Sequence, residues 1–257
     1  MTAHPDFPES ERLEVRLQHP CFPQLKDPTT PVWRYMDLAK FVALLKSRSI
    51  YLTRVDRFSD PYEGTTTPRT AAGIGQFLKN MGSVHDEAHV LKMLDAARQE
   101  LFVSCWHANE HESEAMWRLY CGDGGGVAIQ TTYSALLDAV RWHKGIYIGA
   151  VSYVDYRIAS FPDANVFYPV MHKRASFMHE REVRLVKLSP PPLDGTQDLA
   201  LSVPVELESL CQAIYVSPSA PNYYFEAVSA VVDAIAPSLS SRLQWSQMLL
   251  PPLRPSN

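Results

Sequence analysis

Apolar positions along the chain recur with two different periods, which predicts a mixture of helices and strands. After Asp37, a residue type that caps helices, apolar residues repeat at helical spacing from Leu38 to Leu45. Further helices are predicted within 65–99, at 113–120, around 136–140, within 157–178 and at 223–235. Alternating or continuous apolar runs predict strands at 32–35, 49–54, 101–106, 127–131, 146–154, 180–188, 213–216 and 243–250.

The order of these elements favours an α+β fold. Strands and helices are mixed without the regular strand–helix–strand alternation of a doubly wound parallel sheet. Residues 1–30 are rich in proline and predict an irregular N-terminal arm, and residues 251–257 predict a proline-rich tail. Because no repeat or linker divides the part between them, we expect residues 31–250 to form a single domain.

Composition narrows the class of protein without indicating a function. The chain has 257 residues, of which 46% are hydrophobic and 20% charged, a profile typical of a soluble globular protein. Its formal charge of −4 gives no support for a nucleic-acid partner, although it does not rule one out. The polar N-terminus does not resemble a signal peptide, and no apolar run approaches the roughly 20 residues of a membrane span. The cysteines show no paired spacing, so we expect a cytoplasmic protein without membrane attachment.

Several motifs that could suggest a ligand have ordinary structural explanations. The glycines within 122–126 lack the spacing of a nucleotide-binding loop, and they predict a helix end followed by a turn. His107 and His111 are four residues apart, but no third ligand stands at metal-binding spacing. We therefore expect a surface pair and no metal. Cys105, in a predicted strand, is expected to be a small core residue rather than a nucleophile.

The most informative polar pattern opens the predicted strand at 180–188. Side chains alternate along a strand, so Glu180, Glu182 and Arg184 would share one face if the extended run starts at Glu180. Two adjacent carboxylates disfavour each other's ionisation. The pattern has two interpretations. It is a structural ion pair with Arg184 as the balancing cation, or it is a pair of carboxylates kept for catalysis.

Short motifs follow one another in a fixed order between residues 31 and 240. They are Trp-Arg-Tyr at 33–35, Ile-Tyr-Leu at 50–52, Phe-Ser-Asp-Pro-Tyr-Glu at 58–63, Phe-Val-Ser-Cys-Trp at 102–106, Met-Trp-x-x-Tyr at 116–120, Gly-Val-Ala-Ile at 126–129 and His-Glu-Arg-Glu-Val-Arg at 179–184. In this order they resemble a family of largely uncharacterised bacterial proteins, some of them linked to phage defence. Each motif alone is short, and the resemblance comes from their joint order.

That family is in turn similar to the ADP-ribosyltransferase superfamily. The similarity implies a mixed, mainly antiparallel split sheet with flanking helices. Members of the superfamily bind NAD with an Arg or His on a first strand and a Ser on a second. A Glu on a later strand, often within Glu-x-Glu, serves the cleavage of the glycosidic bond. By position, Arg34, Ser104 and Glu182 match these elements, with Glu180 as the first member of Glu-x-Glu. The second strand reads Ser-Cys-Trp here instead of the familiar Ser-Thr-Ser.

The resemblance implies catalytic roles for the two carboxylates. Breaking the bond between nicotinamide and ribose develops positive charge on the ribose. Glu182 would stabilise that charge more strongly in the transition state than in the ground state. Glu180 would orient or deprotonate the acceptor nucleophile, and a neighbouring carboxylate tends to raise the pKa of one member, which suits a base.

The remaining matched residues are expected to hold the substrate. Arg34 would bind the pyrophosphate or the adjacent ribose. Ser104 would form a hydrogen bond within the nicotinamide–ribose pocket or to the catalytic carboxylate. Either Tyr51 or Tyr62 would stack on nicotinamide, and the sequence does not decide between them.

Three functions are compatible with these observations. The first is an NAD-dependent ADP-ribosyltransferase that modifies a macromolecule or hydrolyses NAD, acting as a toxin or a phage-defence effector. The alternative is a non-catalytic ligand-binding module on the same scaffold. The third is a nucleic-acid-processing protein whose basic cleft would contain Arg34, Lys173, Arg174 and Arg184. The sequence identifies neither the acceptor, which could be protein, DNA or RNA, nor the oligomeric state.

Overall fold

The computed structural model describes residues 18–83, 87–122, 124–162, 165–190 and 198–249. In chain order the strands are β1 (Pro31–Met36), β2 (Ser49–Arg54), β3 (Leu101–Ala108), β4 (Val127–Thr132), β5 (Ile146–Ala150), β6 (Ser152–Val154), β7 (His172–Arg174), β8 (Glu182–Leu188), β9 (Ala200–Pro204), β10 (Ala213–Val216) and β11 (Leu243–Trp245). The α-helices are α1 (Leu38–Ser47), α2 (Pro68–Asn80), α3 (Glu87–Ala97), α4 (Glu114–Cys121), α5 (Tyr133–Val140), α6 (Phe167–Val170), α7 (Leu207–Leu210) and α8 (Asn222–Ile235). Short 3-10 helices cover Val55–Arg57, Ala175–Glu180, Pro237–Arg242 and Gln247–Leu249.

The prediction of an α+β fold is confirmed. The main sheet is mixed and mainly antiparallel, β6 and β7 form a separate two-stranded sheet, and helices flank the strands. Parallel pairing joins β10 to β11 and β6 to β7, whereas β1 with β4, β2 with β3, β4 with β10 and β5 with β8 are antiparallel. The chain forms two compact units and passes between them several times, once within β3 after Cys105.

Of the described residues, the first unit contains those within 18–26, 51–105 and 141–203. Its strand β8 pairs with β3 and with β5, where the register runs from Ile146 opposite Lys187 to Ala150 opposite Val183. Aromatic and aliphatic side chains form its core. They are Cys21, Phe22, Val55, Leu101, Val103, Phe161, Phe167, Tyr168, Val170, Met171 and Val186. Through Val186 this core contacts β8, the strand that begins at Glu182.

Of the described residues, the second unit contains those within 27–50, 106–140 and 204–249. Here β4 lies between β1 and β10, and Pro31 pairs with Thr132 at one end of the β1–β4 ladder. A second core packs α4 against these strands through Trp33, Tyr35, Met116, Trp117, Ala128 and Tyr215. The sequence predicts one domain over residues 31–250. The division into two compact units does not test this prediction, because both units could belong to one domain.

Side-chain caps explain where several helices begin. Asp37 accepts a hydrogen bond from the backbone N–H of Lys40 at 2.8 Å, which confirms the predicted start of α1. Thr67 caps α2 in the same way, and Pro68 occupies the first position of that helix. The glycine-rich turn ends α4 as predicted, with Gly122 at φ 59°.

Three predicted strands differ from the structure. The run at 146–154 is divided into β5 and β6, because Val151 N donates to Glu182 O and Ser152 N donates to Met171 O. The strand predicted from Glu180 begins at Glu182, because Arg181 has φ 41° and interrupts the extended backbone. The strand predicted at 243–250 is short, since a 3-10 helix follows β11. None of the described helices is long and apolar enough to cross a membrane.

Gly149 allows β5 to lie directly against the N-terminal segment. A Cβ atom added there would be 2.8 Å from Phe22 Cα and 2.9 Å from the Phe22 carbonyl carbon. Both are backbone atoms, so the clash cannot be relieved by a side-chain rotation. We expect Gly149→Ala to lower the free energy of unfolding by about 1–3 kcal/mol in urea denaturation, the usual cost of overpacking.

Gly73 provides the matched control for this prediction. It lies exposed in α2, and an added Cβ atom would meet nothing within 4 Å. Gly73→Ala should therefore raise the free energy of unfolding by about 0.5–1 kcal/mol through helix propensity. Equal stability of the Gly149→Ala protein and the wild type would contradict the described approach of β5.

Candidate functional site

Five charged side chains of the first unit meet in its interior and are here called the charge cluster. They are Glu63, Lys173, Glu180, Glu182 and Arg184, each with a side chain at most 9% exposed. Lys173 Nζ lies 3.0 Å from Glu63 Oε1, 2.7 Å from Glu180 Oε2 and 2.7 Å from Glu182 Oε1. The cluster therefore joins three carboxyl groups through two cations.

Arg184 is the most deeply enclosed member of the charge cluster, with a side chain that is 0% exposed. Its Nε donates to Glu182 Oε2 at 2.6 Å, and Nη2 donates to both oxygens of Glu63 at 3.1 and 3.0 Å. Nη1 donates to the carbonyl of Val170 at 2.6 Å. A buried charge is tolerated when ion pairs and hydrogen bonds replace its hydration, as they do for this guanidinium.

The local backbone explains how distant parts of the sequence reach the charge cluster. Glu182 and Arg184 are two residues apart on β8, so they share a face. Lys173 lies in the middle of β7 and is the buried residue of that short strand. Glu180 ends a 3-10 helix, and the left-handed conformation of Arg181 turns the chain into β8. Because of this turn, Glu180 reaches the cluster from outside the strand.

Glu63 comes from the loop between β2 and α2. Its backbone N–H donates to Asp60 O at 3.0 Å, which closes a turn. Gly64 follows with φ 69°, and an added Cβ atom there would clash with Val55. The glycine therefore allows the loop to turn back tightly and direct the Glu63 carboxylate inward.

The two carboxyl groups of the Glu-x-Glu motif differ in acidity. Burial, together with the hydrogen bond and the charge of Glu182, raises the pKa of Glu180 to about 7. Burial also opposes ionisation of Glu182. The Arg184 guanidinium, the hydrogen bond from Glu180 and the Lys173 ammonium outweigh it and hold the pKa of Glu182 well below its usual value. With Glu180 protonated, the charge cluster has two negative and two positive charges.

Cys105 and Tyr153 adjoin Glu182. Burial and the nearby Glu182 carboxylate raise the pKa of the Cys105 thiol, so it stays protonated and is not a nucleophile. Burial also raises the pKa of Tyr153, whose hydroxyl oxygen accepts the backbone N–H of Glu182 at 2.8 Å. Cys105 also packs against the core of the first unit, as expected from the sequence.

A partly exposed group, here called the rim, continues from the charge cluster along β7. Arg174 Nη2 lies 3.0 Å from Asp60 Oδ1, and the Arg174 guanidinium carbon is 4.4 Å from the Tyr62 ring centroid. Phe177 contacts both basic residues, with Lys173 Nζ 4.7 Å and the Arg174 guanidinium carbon 5.2 Å from its ring centroid. Tyr62 is 46% exposed and also contacts Tyr156 edge to face.

The structure brings some of the proposed site residues together. Glu180 and Glu182 meet in the charge cluster, and Tyr62 belongs to the rim. Ser104 is buried in β3 next to Cys105, and strand alternation directs their side chains to opposite faces. Of these two β3 residues, Cys105 is the one that interacts with Glu182 of β8. A role of Ser104 in binding substrate stays a prediction.

For two further predicted binding residues, Tyr51 and Arg34, the structure shows no contact with the charge cluster among those described above. Tyr51 lies on β2 and is 39% exposed. Arg34 belongs to the second unit, where its guanidinium carbon is 5.6 Å from the Trp106 ring centroid. The roles of both residues in NAD binding stay predictions.

Sequence reasoning left Glu63 undecided and did not place Lys173 in the catalytic group. Glu63 gave a partial signal, since the Asp-Pro-Tyr-Glu-Gly segment predicts a sharp turn. Lys173 was predicted only as a member of a basic cleft, because β7 is a three-residue strand of His, Lys and Arg without apolar alternation. The expected surface position of His107 is wrong, since His107 is a buried residue of β3. In the described part of the chain, no group of acidic, His or Cys residues could hold a metal ion.

Comparisons with known proteins do not identify the chain. No family model, no curated protein and no solved structure matches it.

The raised pKa of Glu180 predicts a loss of stability as pH increases. The folded protein keeps this proton until about pH 7, whereas the unfolded chain releases it near the usual value of 4.5. Stability should therefore fall between about pH 4.5 and pH 7, and the loss should be complete above pH 7. Relative to Glu180→Gln, which cannot ionise, the wild type should lose up to roughly 3 kcal/mol of unfolding free energy over this range.

Urea denaturation of both proteins at pH 4.5, 6 and 8 measures this difference. Glu206→Gln is the control, because the Glu206 side chain is 82% exposed and forms only a long contact with Arg48. It should follow the wild type at every pH. Parallel pH profiles of the wild type and Glu180→Gln would show that Glu180 ionises normally.

Proposed function

We propose that this chain is an NAD-cleaving enzyme with an ADP-ribosyltransferase-like fold. It would transfer ADP-ribose to a macromolecular acceptor or, with water as the acceptor, hydrolyse NAD. The observation that carries the proposal is the divided acidity of the Glu-x-Glu pair, in which Glu182 stays ionised and Glu180 titrates near neutral pH. Paired carboxyl groups with separated pKa values are a common basis for acid–base chemistry.

In the proposed reaction, the bond between ribose C1′ and the nicotinamide nitrogen breaks while the acceptor attacks C1′. The bonding electrons leave with nicotinamide, and positive charge develops on the ribose. Glu182 would stabilise this charge as a fixed carboxylate in a site shielded from water. Lys173 and Arg184 hold that carboxylate in place through 2.7 and 2.6 Å contacts.

Transfer is completed when an acceptor oxygen or nitrogen forms a new bond to C1′. The acceptor must lose a proton, and ionised Glu180 would receive it as general base. A group with a pKa of about 7 is suited to this step, because it is partly ionised at neutral pH and still basic enough to take a proton. The released products are nicotinamide and the ADP-ribosylated acceptor, or free ADP-ribose when water reacts.

Access to the carboxyl groups requires movement of the 3-10 helix at Ala175–Glu180. Glu180 is the buried residue of this helix, whereas Met178 is 59% exposed. The helix carries Phe177, which contacts Lys173. We propose that a shift of this short segment admits the ribose to Glu182, in agreement with the μs–ms closures that many enzymes use.

A non-catalytic binding module is the second candidate. It is favoured by the pairing of both Glu182 oxygens, since Oε1 contacts Lys173 and Oε2 contacts Arg184. Such pairing is also what a purely structural ion cluster would require. A module of this kind would bind NAD without releasing nicotinamide.

Nicotinamide release from NAD by the purified protein separates the two candidates. The wild type should release nicotinamide, and Glu182→Gln should lower the rate by at least about 100-fold, a typical loss when one electrostatic stabiliser is removed. Glu206→Gln, at an exposed carboxylate, should leave the rate unchanged. Circular dichroism and thermal unfolding would establish that each variant is folded.

The outcomes have distinct meanings. Full activity of folded Glu182→Gln would contradict the assignment of this residue. Thermal stabilisation of the wild type by NAD without nicotinamide release would favour the binding module. Glu180→Gln tests the same site with less disturbance, since its neutral amide replaces a carboxyl group that is partly protonated at pH 7.

The proposed base also predicts the pH dependence of the reaction. Because Glu180 accepts a proton only when ionised, kcat/KM for nicotinamide release should rise through about pH 7 and level off above it. Glu180→Gln should lower kcat/KM by about 100-fold or more. Its pH profile should also lack the rise near pH 7. A rate profile with the same midpoint in both proteins would exclude Glu180 as the base.

A further inference from the structure

Arg174 is a partly exposed guanidinium fixed against aromatic rings at the rim. Its central carbon is 4.4 Å from the Tyr62 ring centroid and 5.2 Å from that of Phe177. The Arg174 side chain remains 36% exposed. Aromatic contacts of this kind hold the planar group in one orientation while its N–H edges stay available for hydrogen bonding.

The hydrogen-bonding capacity of Arg174 is only partly used. A guanidinium has five N–H donors. Within the described residues, Arg174 makes a hydrogen bond from Nη2 to Asp60 Oδ1, and its buried Nε has no partner. Asp60 has a side chain that is 10% exposed, and its Oδ2 atom also has no partner in the described part of the chain. The pair therefore leaves donors on Arg174 for a ligand.

The position of Arg174 relates the rim to the charge cluster. On β7 the burial pattern alternates, so Lys173 is directed inward to the carboxyl groups and the next residue, Arg174, lies at the rim. Phe177 contacts both basic side chains. A ligand held by Arg174 would consequently lie beside the proposed reaction centre.

We infer that Arg174 is a binding residue for a phosphate group. The planar fork of an arginine matches two phosphate oxygens, and ring contacts reduce the hydration that an anion must displace. The identity of the ligand rests on the proposed function, in which the phosphate groups are those of the NAD diphosphate. This assigns to Arg174 a contact that the sequence analysis gave to Arg34.

A purely structural role makes a different prediction for Asp60. If the Asp60–Arg174 pair only fastens the loop to β7, loss of either residue should have the same effect. If Arg174 binds phosphate, Asp60 is a competitor that occupies one N–H and repels the anion. Asp60→Asn would then strengthen phosphate binding, whereas Arg174→Gln would weaken it.

Calorimetric titration with ADP-ribose and with inorganic pyrophosphate tests the inference without requiring turnover. Arg174→Gln should weaken ADP-ribose binding by about 10-fold to 100-fold, the effect of losing a charge-assisted hydrogen bond. Asp60→Asn should strengthen it by roughly 3-fold to 10-fold. Arg157→Gln is the matched control, because it removes an exposed Arg–Asp pair of the same unit and should leave binding unchanged.

Binding and turnover measured together separate the inference from the proposed function. Arg174→Gln should raise KM for NAD, and Arg157→Gln should leave it unchanged. ADP-ribose binding that depends on Arg174, without nicotinamide release by the wild type, would uphold the inference and overturn the proposed function. Nicotinamide release by the wild type, with an unchanged KM for NAD in Arg174→Gln, would uphold the proposed function and overturn the inference. Arg174-dependent binding of a short single-stranded DNA in place of ADP-ribose would overturn the assignment to a dinucleotide.

Discussion

The enclosed guanidinium of Arg184 constrains the structure of the first unit. A charge that has lost its hydration must be paired, and both of its charged partners are carboxylates. Glu182 is supplied by the same strand, but Glu63 has to arrive from a loop 121 residues away. The tight turn at Gly64 and the central position of Lys173 in β7 both follow from completing this pairing.

The charge cluster contains one more carboxyl group than it has cations. Glu63 and Glu182 together already balance Lys173 and Arg184, so Glu180 is not needed for neutrality. Its burial beside an ionised neighbour raises its pKa, and ionisation there lowers the stability of the folded protein. A structural cluster would be at least as stable with a neutral amide at this position. The excess carboxyl group is the feature that an acid–base function explains and a purely structural one does not.

The sequence predicted several residues of the charge cluster, but it did not predict how they come together. Strand periodicity was enough to place Glu182 and Arg184 on one face, and their 2.6 Å contact confirms the expected balancing cation. Glu180 reached the same cluster by another route, because a left-handed Arg181 interrupts the strand and no glycine marks that turn. Lys173 could not be predicted, since its partners depend on long-range packing and β7 has no apolar periodicity. The resemblance to known motifs assigned roles to the two Glu residues and none to the cations that contact them.

The enclosure of the carboxyl groups is the observation that bears most directly on whether the protein is an enzyme or a binding module. Glu182 has both oxygens paired, so a ribose could reach it only if a cation moves or if the substrate approaches through Glu180. Glu180 is the less firmly held of the two, because it ends a short 3-10 helix whose other residues are largely exposed. Displacement of this helix would open the site while Arg184 kept Glu182 ionised through its contact on the opposite side. An inner carboxylate that stays charged and an outer one that exchanges a proton would then be parts of one arrangement, and the proposed reaction needs both.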